Sequence, residues 1–129
     1  MNIIIVDDEK IAIDVLSMML KRLVQFNITI RGTFTNAEDA ILFIEKEEEA
    51  VDVMFLDIEM IDMHGLDVAK QIQNKRPFLQ IIFVTAHSQF ALDAFEVEAS
   101  DYLLKPVHEK RLMKALTKSQ KKIRSRNRN

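Results

Sequence analysis

The sequence predicts a single α/β domain built on an open, doubly wound parallel sheet. Two observations carry that reading: five short apolar runs alternate with five longer amphipathic stretches, and the chain has 129 residues. Alternation of this kind argues for right-handed crossovers and a sheet covered by helices on both faces. An eight-stranded barrel needs about 250 residues, so the sheet is expected to be open.

The first run, residues 2–6, is apolar after Asn2 and stops at Asp7-Asp8-Glu9. An isoleucine-rich run bounded by charge suits a strand buried on both faces. Residues 28–34, 52–56, 80–84 and 101–104 give the other strands. Between the first two, residues 9–25 place Ala12, Leu16, Met19, Leu20 and Leu23 on one helical stripe. Asn36 is the expected cap of the second helix, which turns Ala40, Phe43 and Ile44 inward. Gly65 opens or precedes the third, with Leu66, Ala69 and Ile72 as its buried side. That helix stops before Pro77, because the residue ahead of a proline avoids the helical region. Ser88 is the expected cap of the fourth, which carries Ala91, Leu92 and Phe95. Residues 108–124 make the fifth on Leu112, Met113, Leu116 and Ile123.

Composition removes several classes of function. Apolar residues are 48% and charged residues 29%, a globular balance. Without cysteine there can be no disulfide, thiolate metal site or cysteine nucleophile. No apolar run approaches the ~20 residues of a membrane span. The start lacks a basic leader and runs straight into acids, so a cytoplasmic location is expected. The net charge of -2 is unevenly spread: Glu45, Glu47, Glu48 and Glu49 crowd one segment, and Lys118, Lys121, Lys122, Arg124, Arg126 and Arg128 fill the tail. The tail reads as a solvated helix end passing into a linker. This divides the chain into a domain at 1–122 and a basic linker at 123–129, leading towards an effector domain that is absent from it. The body has no basic face, so direct nucleic-acid binding is not expected.

In open sheets of this kind, ligands bind beyond the carboxyl ends of the strands. Those ends carry Asp7-Asp8 on the first strand, Asp57 on the third, Thr85 on the fourth and Lys105-Pro106 on the fifth. Taken singly, an aspartate after a strand is a turn former, a threonine is a satisfied hydroxyl and a Lys-Pro pair is a loop. Together they make a chemical set. Carboxylates in one pocket repel and raise one another's pKa unless a cation joins them. Hard oxygen ligands suit magnesium, which keeps waters that a phosphate can displace. An ammonium and a hydroxyl supply donors for phosphoryl oxygens, and phosphoryl transfer needs mainly alignment and charge neutralisation.

The ordered stretches Ile3-Ile4-Ile5-Val6-Asp7-Asp8-Glu9, Phe55-Leu56-Asp57-Ile58-Glu59-Met60, Phe83-Val84-Thr85-Ala86 and Asp101-Tyr102-Leu103-Leu104-Lys105-Pro106 resemble the successive motifs of bacterial response-regulator receiver domains. Val84-Thr85-Ala86-His87 with Ala91-Leu92-Asp93-Ala94-Phe95 is most similar to receivers that precede a LytTR-type DNA-binding domain. The resemblance implies a flavodoxin-like sheet of order 2-1-3-4-5 and a role in two-component signalling. By position it implies Asp57 as phospho-acceptor, and Asp8, Asp57 and the Glu59 carbonyl as ligands of magnesium, or manganese in its place, with Asp7 acting through water. It implies Lys105 as partner of the acyl phosphate, Thr85 as its reporter and Tyr102 as the aromatic switch. The implied donor is a sensor histidine kinase. The implied output is a changed surface of helix four, strand five and helix five, with a homodimer formed on phosphorylation and transcription as the controlled process. Such a domain catalyses only its own phosphorylation and dephosphorylation.

One departure stands out: Ile61 occupies a position often held by proline, which leaves the acceptor loop's backbone less restrained. Glu59 and His87 flank the site where related domains tune the lifetime of the phosphate. His64 and His108 read as exposed residues at helix starts. A haloacid-dehalogenase-type phosphatase uses similar groups, but its acid pair follows the nucleophile, whereas Asp7-Asp8 precedes Asp57. A receiver-like interaction module that is never phosphorylated is the other alternative.

Overall fold

The computed structural model describes residues 1–46 and 50–127, so Glu47, Glu48, Glu49, Arg128 and Asn129 lie outside the described residues. Five strands, β1 (Asn2–Val6), β2 (Thr29–Phe34), β3 (Val53–Leu56), β4 (Gln80–Thr85) and β5 (Asp101–Leu104), alternate with five helices. These are α1 (Lys10–Arg22), α2 (Ala37–Lys46), α3 (Gly65–Lys75), α4 (Ala91–Glu96) and α5 (Glu109–Asn127). The strands pair in parallel in the order β2-β1-β3-β4-β5, as expected.

Side-chain alternation along each strand builds two separate cores. Ile3, Ile5, Val53, Phe55, Ile82, Val84 and Leu103 pack beneath α1 and α5 against Ile13, Leu16, Leu20, Leu112, Ala115 and Leu116. Ile4, Val6, Met54, Leu56, Ile81 and Phe83 pack beneath α2, α3 and α4 against Ala40, Ile44, Val68, Ala69, Ile72 and Ala94. The central strands β1, β3 and β4 are buried almost throughout, which explains why they read as continuous apolar runs.

The helices correct several sequence expectations. The first ends at Arg22, and a 3-10 turn, Val24–Phe26, follows it through Asn27 in the left-handed region. Ile13 joins its buried stripe, whereas Ala12 and Met19 are only partly buried. Asn36 does cap α2, accepting from the Asp39 N–H at 2.8 Å. Ser88 does not cap α4 with its side chain; Phe90 holds that position without a side-chain bond. The stripe of α4 is also rotated. Ala91, Leu92 and Phe95 are exposed, the last two at 70% and 79%, and the inward residues are Ala94 and Val97. Helical spacing gives a stripe's period but not its phase, and here the smaller pair, Ala94 and Val97, faces the sheet. The fifth helix, expected over residues 108–124, runs on to Asn127. His64 is partly buried, accepts from Leu66 N–H and meets Phe90 edge-on at 5.2 Å, so it is not a plain surface residue; His108 is exposed. No helix among the described residues is long and apolar enough to cross a membrane.

Gly65 fixes the entry to α3. Its N–H bonds the Ile58 carbonyl at 2.6 Å, and a Cβ on it would fall 2.6 Å from the Asp57 carbonyl oxygen and 2.7 Å from Ile58 Cα. Backbone cannot yield as a flexible side chain can. Gly65→Ala is therefore expected to cost about 1–3 kcal/mol of stability, measured by urea unfolding, by pushing the 57–58 peptide out of place.

Candidate functional site

The sheet's carboxyl edge is built by backbone bonds that carry each ladder one residue past its strand. Asp7 N–H bonds the Phe34 carbonyl at 3.0 Å, Asp57 N–H bonds the Val6 carbonyl at 3.0 Å, and Lys105 N–H bonds the Thr85 carbonyl at 2.8 Å. These bonds place the side chains of neighbouring strand ends beside one another. Asp7, Asp8, Glu9 and Asp57 each offer a carboxylate oxygen, all within 4.8 Å of one another. Glu9 is the member of this cluster that sequence reasoning left out. Its signal was its place directly after Asp8, where it precedes α1 without a side-chain cap bond.

Lys105 holds this cluster together. Its Nζ lies 2.7 Å from Asp7 Oδ2, 3.4 Å from Asp57 Oδ2 and 3.8 Å from Glu9 Oε1. The peptide from Lys105 to Pro106 is cis. Burial works against the ammonium, but the bond to Asp7 and the charges of Asp57, Asp7 and Glu9 hold its pKa above the usual lysine value. Asp57 is 6% exposed. Burial pushes its carboxyl up to about 6, against the pull of Lys105 and with help from Asp7. Four acids gathered beside one ammonium leave an excess of negative charge, and hard carboxylate oxygens fit a divalent cation.

Around the acceptor, Glu59 N–H approaches Asp57 Oδ1 at 3.4 Å. Thr85 is fully buried, and its Oγ1 accepts from His87 N–H at 3.3 Å. Tyr102 donates its hydroxyl to the His87 carbonyl and is half-buried against Phe83. His87 Nε2 also meets Glu59 Oε2 at 3.0 Å. Asp7, Asp8 and Asp57 thus come together with Glu9, Lys105 reaches Asp7, Asp57 and Glu9, and Glu59, Thr85, His87 and Tyr102 form a connected rim beside them.

Fold and site together define a signalling domain of the response-regulator class. Residues 3–117 match the family described as the response regulator receiver domain, and the chain belongs to that family. It is 37% identical over 125 residues to the sensory transduction protein LytT of Bacillus anthracis, covering 97% of this chain and 49% of that protein. It is 42% identical over 116 residues to the transcriptional regulatory protein BtsR of Salmonella typhi, covering 89% of this chain and 46% of that one. The chain spans about half the length of the curated relatives it matches. Among solved structures, the response regulatory domain of protein mrkE from Klebsiella pneumoniae superposes with a TM-score of 0.83 at 36% identity, covering 94% of this chain and 96% of that one. The isolated receiver domain of RcsB from Salmonella enterica, solved with a beryllofluoride phosphomimetic, gives 0.84 at 25% identity, covering 94% and 88%. Family membership leaves the haloacid-dehalogenase alternative without support.

Because Asp57 holds its proton more tightly when folded, the folded state loses stability as pH rises from 3.8 to about 6, and the full penalty applies above that. In a chelating buffer, Asp57→Asn is expected to stabilise the fold at pH 7.5 by on the order of 2 kcal/mol. The gain should vanish below pH 4, and thermal melts across pH would read it.

Proposed function

We propose that this domain accepts a phosphoryl group on Asp57 from a phosphohistidine of a sensor kinase. The observation that carries the reading is a buried Asp57 beside Lys105 within a cluster of acids. A carboxylate oxygen of Asp57 attacks phosphorus in line. The bond to the donor imidazole nitrogen breaks, the nitrogen keeps the electron pair, and an acyl phosphate remains. Lys105 offsets charge on the phosphoryl oxygens, and Ala86, small and exposed, leaves room for them. Asp8, Asp57 and the Glu59 carbonyl would hold magnesium, or manganese, with Asp7 acting through water, and the ion would neutralise phosphoryl charge.

Thr85 then exchanges its bond from His87 N–H for one to the phosphate. The loop that moves also receives the Tyr102 hydroxyl, so Tyr102 is the second member of the switch. His87 and Glu59 hold the rim through which water reaches the acyl phosphate, and they set its lifetime. The changed surface is that of α4, β5 and α5, which acts on a C-terminal effector domain that controls transcription. Exposed Leu92, Phe95 and Leu104 support an apolar contact there. Asp93 and Glu96 on α4 complement Lys110, Lys114 and Lys118 on α5, so a two-fold homodimer sets acid against base.

Acetyl phosphate with magnesium is expected to add one phosphoryl group, seen by intact mass. Chelation and Asp57→Asn should each abolish it, and Lys105→Ala should slow it about 100-fold. Label that persists in Asp57→Asn would move the acceptor elsewhere, and no label on the native chain would favour an interaction module. For the output, beryllofluoride should convert monomer to dimer in sedimentation, and Phe95→Asp should keep the monomer while still taking the label.

A further inference from the structure

The acceptor loop, residues 57–64, lacks the proline that often stiffens it, and Ile61 at its tip is 97% exposed. Its base is closed by the Glu59–His64 bridge and by Gly65 N–H on the Ile58 carbonyl. Its tip is held by something else. The carboxylate of Asp62 accepts from Ala37 N–H with both oxygens, at 3.2 and 3.0 Å, and from Glu38 N–H at 3.2 Å. These are the first two N–H groups of α2, and the third, on Asp39, is taken by Asn36 Oδ1. Ala37 is wholly buried, so its N–H needs a protein partner. The start of α2 is thus capped twice: once by its own segment, and once by a residue some twenty-five positions later on the acceptor loop.

We propose that Asp62 is a positioning residue for the phosphoryl-transfer site, clipping the acceptor loop to α2 so that the Glu59 carbonyl stands where it can serve the cation. The clip supplies through a tertiary bond the restraint that Ile61 does not supply through its backbone. Three bonds to N–H groups fix the carboxylate in both position and orientation, and bonds to a carboxylate are the stronger kind. Glu59 lies three residues before Asp62 and pairs with His64 two residues after it, so a displacement at Asp62 acts on both sides of the ligand's pairing. The inference rests on the acceptor reading above and concerns how its site is held.

The test compares Asp62→Ala, Asp62→Asn and Asn36→Ala in the full chain. Manganese affinity is read directly from the electron-paramagnetic-resonance signal of the free ion, alongside thermal melts and labelling by acetyl phosphate. Asp62→Ala is expected to weaken manganese binding about tenfold, the scale of losing a group that orients a metal ligand. Its labelling rate at saturating metal should stay within about twofold of the native chain. Asp62→Asn keeps an acceptor oxygen and should recover most of the affinity. Asn36→Ala removes the other cap of the same helix, so it should lower the melting temperature comparably while leaving manganese affinity unchanged. Unchanged affinity in Asp62→Ala, or an equal loss in Asn36→Ala, would overturn the clip. A native chain that binds manganese but takes no phosphoryl group would sink the acceptor reading, and the clip would then stand or fall on metal affinity alone.

Discussion

Everything at the carboxyl edge depends on one electrostatic arrangement: two acids drawn out of water, Asp7 and Asp57, and an exposed third, Glu9, around a single ammonium. Lys105 reaches Asp7, Asp57 and Glu9 at once, and no exposed lysine could be held so. Burial opposes the charged forms of both partners, and the two outcomes differ. The lysine remains firmly protonated, whereas Asp57 is driven up to about 6. A carboxyl that ionises reluctantly inside an acid cluster is held in a state that a cation would relieve. The cost of gathering these acids is carried by the two hydrophobic cores beneath them.

Those cores also explain how much of the fold was legible. Continuous apolar runs at 2–6, 52–56 and 80–84 announced strands buried on both faces, and the sheet has them at its centre. The acids and the lysine could be placed together because ladder bonds run one residue beyond each strand, a regularity that sequence position captures. What stayed hidden depends on rotation about an axis or on contacts between distant segments. The phase of α4 was misread because Leu92 and Phe95 look like core residues, yet Ala94 and Val97 are small enough to let the helix lie close to the sheet. Ser88 looked like a cap because its type is right, but the chain bonds there through its carbonyl.

The acceptor loop shows the same limit from the other side. The absence of proline at Ile61 was plain in the sequence, and so was the loosening it suggests. The Asp62 contact that answers it joins positions some twenty-five residues apart, and nothing local to either segment foretells it. Gly65 was legible as a helix opener, but not as the place where a side chain would strike the backbone of Asp57. Long-range caps and close approaches are where a single sequence says least, and both surround the candidate acceptor.

The two-sided sheet has a consequence for tolerance to change. Ile3 and Ile5 look into one core while Ile4 and Val6 look into the other, and β3 and β4 keep the same parity. Inserting or deleting one residue at the start of β3, with the pairing before it kept, would exchange the faces of the residues that follow and, in the same stroke, turn the Asp57 carboxyl away from Lys105. Packing and chemistry share a reading frame in this domain, so length variation should accumulate in its loops and spare its strands.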